Sequence, residues 1–411
     1  MVEVDGSELG IPPLRRNRDF QIFWSSQVFS TLGTAAIRVA FPLLVLAETG
    51  SAASAGLVGF AQTLPFLLWF LPAGALVDRL DRKRLMIGAE VVRFAAMAAV
   101  VFLLATDRFS LWAVMLAVFV EGTALVFFEL SEAAALPHLV PATQLPTAIA
   151  QNQGRQQAAN LIGPPLGGVL FGLAPSLPFG FDAATYALSF IALLSIRPDF
   201  QDDRADHDTT LWSDIVHGLG WLWHQAFLRT LSIVVAAWNF MLAALILTLV
   251  VRTQDLGGGP EVVGLVSAAF GIGAMGGVFV APRIERALPG RIIVLGATGL
   301  WAVSLVALAV APNPLVLGCI VTAAGATAPV FQVMVGRYRY ALTPDELQGR
   351  MLSASRVIGW GAIPLGSMVA GFAIDAIGPP STMLALAALM AVAVTGSAIA
   401  PSLRRDPLAA G

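Results

Sequence analysis

The sequence predicts an all-α integral membrane protein with twelve transmembrane helices, in two six-helix bundles related by pseudo-twofold symmetry. Of its 411 residues, 57% are hydrophobic and 12% charged; a soluble domain carries roughly 25% charged residues. Twelve stretches reach the roughly 20 apolar residues that a bilayer crossing requires. Short phrases also recur in the same order in both halves of the chain. The apolar runs are too long and unbroken for barrel strands, which alternate over about 10 residues.

Residues 1–20 mix acids, prolines and arginines with no apolar core, so they read as a cytosolic tail rather than a signal peptide. The first bundle, 21–197, holds spans at 22–47, 52–77, 85–105, 110–135, 147–173 and 176–196. Glycines, prolines and single charges interrupt several of them, as in many transporter helices. The longest polar break runs from Arg197 to Thr210 and divides the chain. Beyond it, Leu211, Trp212, Ile215, Val216, Leu219, Leu222 and Trp223 recur at helical spacing. That pattern predicts an amphipathic helix on the inner membrane face, within a cytosolic linker at 198–226. The second bundle, 227–401, holds spans at 227–251, 261–282, 291–311, 314–334, 350–374 and 379–400, and a cytosolic tail, 402–411, follows it. Cys319, the single cysteine, lies in an apolar span, where a packing role is expected.

Arginine placement sets the orientation. With the N-terminus in the cytosol, eighteen of the 24 basic residues fall in cytosolic tails and loops. Arg108 and Arg252 fall outside, and Arg38, Arg93, Arg155 and Arg356 lie within spans. Both termini are therefore expected in the cytosol, with the chain in the inner or plasma membrane of a cell.

The halves echo each other. Gly56-Leu57-Val58 opens the second span and Gly264-Leu265-Val266 the eighth. Pro165-Leu166-Gly167 with Gly172 in the fifth matches Pro364-Leu365-Gly366 with Gly371 in the eleventh. Repeats in this order predict parallel halves, with a substrate site between them near the midplane.

Between spans two and three, Gly74, Leu76, Asp78, Arg79, Arg82 and Lys83 follow the order Gly-x-Leu-x-Asp-Arg-x-Gly-Arg-Lys, with Asp81 at the second glycine. In span five, Ala159, Gly163, Pro164, Gly167 and Gly168 follow Gly-x-x-x-Gly-Pro-x-x-Gly-Gly, with alanine at the first position. On these motifs, residues 18–400 resemble the major facilitator superfamily, and within it the exporters of drugs, siderophores and macrolides. The arginine of that family's span four is missing, and Val118 stands in its place. The resemblance implies drug–proton antiport by alternating access. It also implies that Asp78 docks on the start of span eleven near Arg350, and that Arg82 pairs with Glu129 or Glu132 at the inner end of span four.

Residues 155, 159, 163 and 167 form one stripe of span five, whose small members let another helix approach closely. Ionisable residues within spans face the protein interior and mark function. Glu90 and Arg93 are three residues apart and are expected to pair as scaffold. Arg38 and Glu121 remain as the deepest pair, candidates for coupling or substrate binding, beside the alternative of a fixed structural pair. Arg155 is expected at the interface between the bundles. Trp238, Asn239 and Gln332, with Phe127, Phe240 and Phe331, would give a greasy pocket with polar handles. Asp182 is expected near the outer surface.

These readings describe a secondary active transporter, not an enzyme, exporting a small, partly hydrophobic drug, antibiotic or secondary metabolite by proton antiport. The expected partners are the bilayer, the small-molecule substrate and protons. No cofactor, metal or nucleic acid is expected, and the protein would act as a monomer. The alternatives are nutrient uptake on the same fold and an integral-membrane enzyme, for which Glu129, Glu132 and His138 offer no nucleophile or metal set.

Overall fold

Polar caps open several of the apolar runs close to the expected turns, and a glycine closes the first. The computed structural model describes residues 13–196, 200, 219–344 and 347–400. In the first half, α1 spans Arg18–Thr49, α2 Ala52–Arg79, α3 Arg82–Ala105, α4 Leu111–Leu139, α5 Leu145–Leu173 and α6 Leu177–Ser195. In the second, α7 spans Ala226–Asp255, α8 Pro260–Ala287, α9 Gly290–Ala309, α10 Pro314–Gly325, α11 Thr327–Leu342 and α12 Gln348–Ile399. The side chains of Asn17, Ser51, Asp81 and Asn313 accept from the amides of Phe20, Ser54, Arg84 and Val316. Each satisfies a donor that a helix start leaves open. Gly50 closes α1 at φ 63, in the left-handed region that glycine reaches without strain.

Ten stretches among the described residues are long and apolar enough to cross a membrane. One of them, Pro314–Leu342, contains α10 and α11. They form a single crossing broken at Ala326, where Pro329 removes the amide that would bond back to Gly325. Another, Ala354–Ile399, lies in α12, where Gly378 departs from helical geometry (φ 77, ψ 163) and separates two crossings. α5 adds one more at 29 residues, although Gln151, Asn152, Gln153, Arg155, Gln156 and Gln157 make its first half polar. The chain therefore makes twelve crossings, and no strand occurs among the described residues.

Alternation of direction puts Pro13 and Ala400 at one end of the bundle, here the terminal end, and the turns at Gly50 and Gly378 at the far end. In the first half α1 packs on α5 and α6, and α4 on α2 and α3; in the second, α12 packs on α7 and α9, and α8 on α10 and α11. Gly163 and Gly167 of α5 lie against Ala35 and Ala36 of α1, a backbone approach that larger side chains would block.

The halves meet along two lines, α2 with α12 and α5 with α8. Toward the far end, Gly56 lies against Ser367 and Gly371, and Gly264 against Pro164 and Pro165. Nearer the terminal end, a methyl added at Gly74, Gly154 or Gly276 would meet nothing within 4 Å. The closest backbone contacts between the halves lie toward the far end, and nearer the terminal end Phe66 and Phe70 of α2 still meet Trp360 and Arg356 of α12.

One expectation changes, and another falls largely outside the described residues. Cys319 is exposed on the outer side of α10 rather than packed. Of the amphipathic helix, 211–218 lies outside the described residues, as do the tails 1–12 and 401–411. Residues 219–224 are helical, and Leu222 is buried against the cluster of Leu228, Met351 and Ala354.

Candidate functional site

A polar cavity opens within the first half, between α1, α3, α4 and α5. Its walls include Thr34 and Arg38 from α1, Arg93 from α3, Glu129 and Glu132 from α4, and Arg155 from α5. Helical periodicity gathers them: Gln27, Thr31, Thr34 and Arg38 repeat every three or four residues along one side of α1.

Arg93 organises the depth of this cavity. Its Nε donates to Glu121 Oε1 at 3.2 Å, and its Nη1 is 3.6 Å from Glu90 Oε2. Nη2 donates to Thr34 Oγ1 and to the Tyr186 hydroxyl, each at 2.9 Å. Tyr186 in turn donates to Glu121 Oε1 at 3.2 Å, and its ring lies 4.0 Å from the guanidinium carbon. Arg93, Glu90, Glu121 and Tyr186 are all buried. A charge so buried needs both pairing and hydrogen bonds, and Arg93 has both.

The expected pairing of Arg38 with Glu121 is therefore corrected: Arg93 takes Glu121. Arg38 lies exposed in the cavity, with Nη1 3.5 Å from Asn160 Oδ1. Asp182 is not near a surface. It is fully buried against Gly33, midway along α1, and neither of its oxygens has a hydrogen-bond partner.

The pairing of Arg82 is also corrected. Its Nη1 donates to the carbonyls of Ala134 at 3.1 Å and Phe200 at 3.2 Å, and its Nη2 is 3.7 Å from Asp78. Glu132 instead binds Arg155 Nη2 at 2.6 Å, which places Arg155 against the cavity wall, and Glu129 faces the cavity. Asp78 is 70% exposed, and Gly74, Leu76 and Arg79 line the same stretch of α2. Lys83 donates to the carbonyl of Ile196 and sits over the ring of Phe200. The side chain of Arg350 lies outside the described residues.

In α5, Ala159, Gly163 and Gly167 face α1, while Pro164 and Gly168 face α8. In the second half, Trp238 is buried rather than cavity-facing. It stacks on Phe331 at 4.2 Å and donates to Thr298 Oγ1 at 3.0 Å. Asn239 donates to the carbonyl of Gly359 at 3.0 Å, joining α7 to α12, and Gln332 is exposed. Where α2 meets α12, Trp360 packs on Phe66 and Phe70, and Arg356 lies over Phe70.

Sequence reasoning missed Thr34 and Tyr186, which carry no charge to mark them. It also missed Asp375, an acid at the end of an apolar run that hydrogen-bonds across to the start of α2.

The sequence profile of a family described as transmembrane secretion effector matches residues 9–404. The chain is 29% identical over 392 residues to the multidrug efflux pump Tap of Mycolicibacterium fortuitum, covering 90% of this chain and 93% of that one. It is 23% identical over 367 residues to macrolide efflux protein A of Streptococcus pyogenes, covering 87% and 90%. Among solved structures, it is similar to a bacterial homolog of the human lysosomal transporter Spinster in an inward-facing, unoccupied conformation. The TM-score is 0.73 at 14% identity, over 97% of this chain and all of that one. A bacterial homologue of the iron transporter ferroportin in an inward-facing state gives a TM-score of 0.71 at 17% identity, over 94% and 99%. At these identities the likeness is one of fold.

Proposed function

Because the chain belongs to the transmembrane secretion effectors of the major facilitator superfamily, we propose that it exports small, partly hydrophobic compounds such as drugs, antibiotics or secondary metabolites. It is a membrane transporter rather than an enzyme. In this reading it sits in the cell membrane with both termini cytosolic, works as a monomer, and exchanges protons for substrate by alternating access. The moving units are the bundles 21–197 and 227–401.

One observation carries the proposal: the closest backbone contacts between the halves lie at the far end, and a polar cavity lies in the first half on the terminal side of them. With the terminal end in the cytosol, this is the arrangement that loads an exported substrate. Three carboxyl groups, Glu90, Glu121 and Asp182, lie in or next to the network of one guanidinium, Arg93. Proton occupancy of that set can change without leaving Arg93 unpaired. A potential of 100 mV contributes about 2.3 kcal/mol per charge moved, enough to sustain a gradient of substrate. Export is favoured over uptake by the span-five motif, whose Gly163 and Gly167 seal against α1 while Gly168 seals against α8.

Efflux from proteoliposomes, with and without an imposed pH gradient, tests the reading. Transport of dye and macrolide probes that speeds up with the gradient supports it. Transport indifferent to the gradient rejects proton antiport, and accumulation in the opposite direction rejects export.

A further inference from the structure

We propose that Arg356, on the inward-facing side of α12, binds the acidic group of a flat aromatic substrate whose ring rests against Trp360 and the α2 phenyl rings Phe66 and Phe70. The substrate class is then an aromatic organic anion. The proposal rests on the export reading and names what that transporter takes.

The direction of Arg356 follows from its neighbours along α12. Gly359 faces Asn239 of α7. Ser367 faces Gly59 of α2, and Gly371 faces Gly56. Helical periodicity puts Arg356 and Trp360 on the arc between those two faces, and the Trp360 ring meets Phe66 and Phe70 of α2. α7 itself touches α1 and α2, so this arc looks inward between the halves rather than toward lipid. Arg356 lies about 12 Å into α12, at 1.5 Å per residue, on the terminal side of the closest contacts between the halves.

An ionised residue within a membrane span is costly and marks a path or a site. Arg93 is neutralised by Glu90 and Glu121, and Arg155 by Glu132. Arg356 forms no ion pair and no hydrogen bond among the described residues. Its guanidinium carbon lies 5.0 Å from the centre of the Phe70 ring and 5.7 Å from that of Trp360. Aromatic rings hold the face of a guanidinium and leave its N–H edge for a planar, bidentate acceptor. That edge is reachable, because Arg356 is half-buried and none of its nitrogens is closed off from the surface.

A second cation selects the charge of the occupant. Arg339, near the end of α11, is close enough for its charge and that of Arg356 to repel. It too has no acid partner among the described residues. Its Nε and Nη2 are closed off, so it contributes potential rather than contact. The pair would expel a cationic compound, and a neutral one would leave the repulsion in place. An ionised carboxylate or sulfonate offsets both charges, and an aromatic body covers the half-buried rings beside them. Arg38 of the first half is also exposed, but Glu129 shares its cavity.

The test uses the full chain in lipid nanodiscs, with empty nanodiscs subtracted, and three naphthalene probes: 2-naphthoate, 2-naphthamide and 2-naphthyltrimethylammonium. Naphthoate is expected to bind about tenfold more tightly than the amide, the worth of a hydrogen bond to a charged group, and the ammonium more weakly than either. Arg356→Gln should bring naphthoate down to the affinity of the amide, whereas a merely structural role would lower both. In the wild-type protein, naphthoate but not naphthamide should slow modification of Arg356 by phenylglyoxal, read by mass spectrometry. Equal affinity for acid and amide, a preference that survives Arg356→Gln, or modification unaltered by naphthoate overturns the proposal. Efflux measured on the same preparations separates the two readings. Naphthoate held at Arg356 by a protein that moves no compound counts against export, and cationic dyes exported by a protein indifferent to naphthoate count against the site.

Discussion

Asp375 binds the first turn of α2: its Oδ1 accepts from the amide of Ala52 at 2.8 Å. Its Oδ2 accepts from the Ser51 hydroxyl at 2.8 Å and from the Ala53 amide at 3.0 Å. An acid from the second half thus caps a helix of the first, at the far end where the halves converge. The resemblance assigns the reciprocal arrangement to Asp78, an acid of span two on the start of span eleven. The same cap chemistry would then serve opposite ends of the molecule in opposite states.

Asp375→Ala should weaken far-end closure. Losing such a cap costs about 0.5–2 kcal/mol, so the far-end-open population should rise by between about twofold and thirtyfold. Spin-label distances between the far ends of α2 and α12 read this directly. An unaltered distance distribution would remove the latch role.

Asp78→Asn should fold, insert and reach the membrane at wild-type levels, yet lose most transport. Membrane abundance and efflux measured together test it. Normal efflux in this variant would show that the loop sets topology alone.

Arg93→Gln should destabilise the protein by about 3–5 kcal/mol, because it strands the buried Glu90 and Glu121. Glu121→Gln keeps an acceptor for Arg93 and for Tyr186. It should retain the fold while flattening the pH dependence of efflux. A pH profile identical to wild type would exclude Glu121 from coupling.

Gly167→Leu should abolish transport. Even a single added carbon there meets the carbonyl of Ala36, and overpacking of this kind costs about 1–3 kcal/mol. Gly88→Ala is the control: nothing lies within 4 Å of an added methyl, and helix propensity favours alanine by about 1 kcal/mol. Thermal melting in detergent should move in opposite directions for the two.

The crossings were legible because length and hydropathy alone decide them. The duplicated phrases proved more informative than their shortness promised. Gly56 meets Gly371, and Gly264 meets Pro164 and Pro165, so the echoed residues are the ones at which the halves touch. A twofold axis relating span two to eight and five to eleven makes those two contacts equivalent. The pairing of Glu90 with Arg93 was legible from their spacing along one helix, but the other partners of the charges were not. Depth along the helices suggested Arg38 with Glu121, but rotation about each axis decides contact, and it turns Arg93 toward Glu121 and Arg38 toward Asn160. Arg82 went astray for another reason: its partners are backbone carbonyls near Pro137 and at Phe200, which residue types do not advertise.

Gly378 joins the last two crossings without a loop, at φ 77. Asp375 sits three residues before it, while beyond it the carbonyl of Ala398 accepts from Arg291 of α9 at 3.1 Å. The second arm is therefore moored inside its own bundle, the first is held on α7 through Gly359 and Gly366, and the backbone angles at Gly378 must suit both moorings. Any residue other than glycine at this elbow would be strained, and relief of that strain would swing the Asp375 carboxylate away from Ala52. Closure of one bundle upon the other thus draws on a residue that touches neither partner of the bond at its tip.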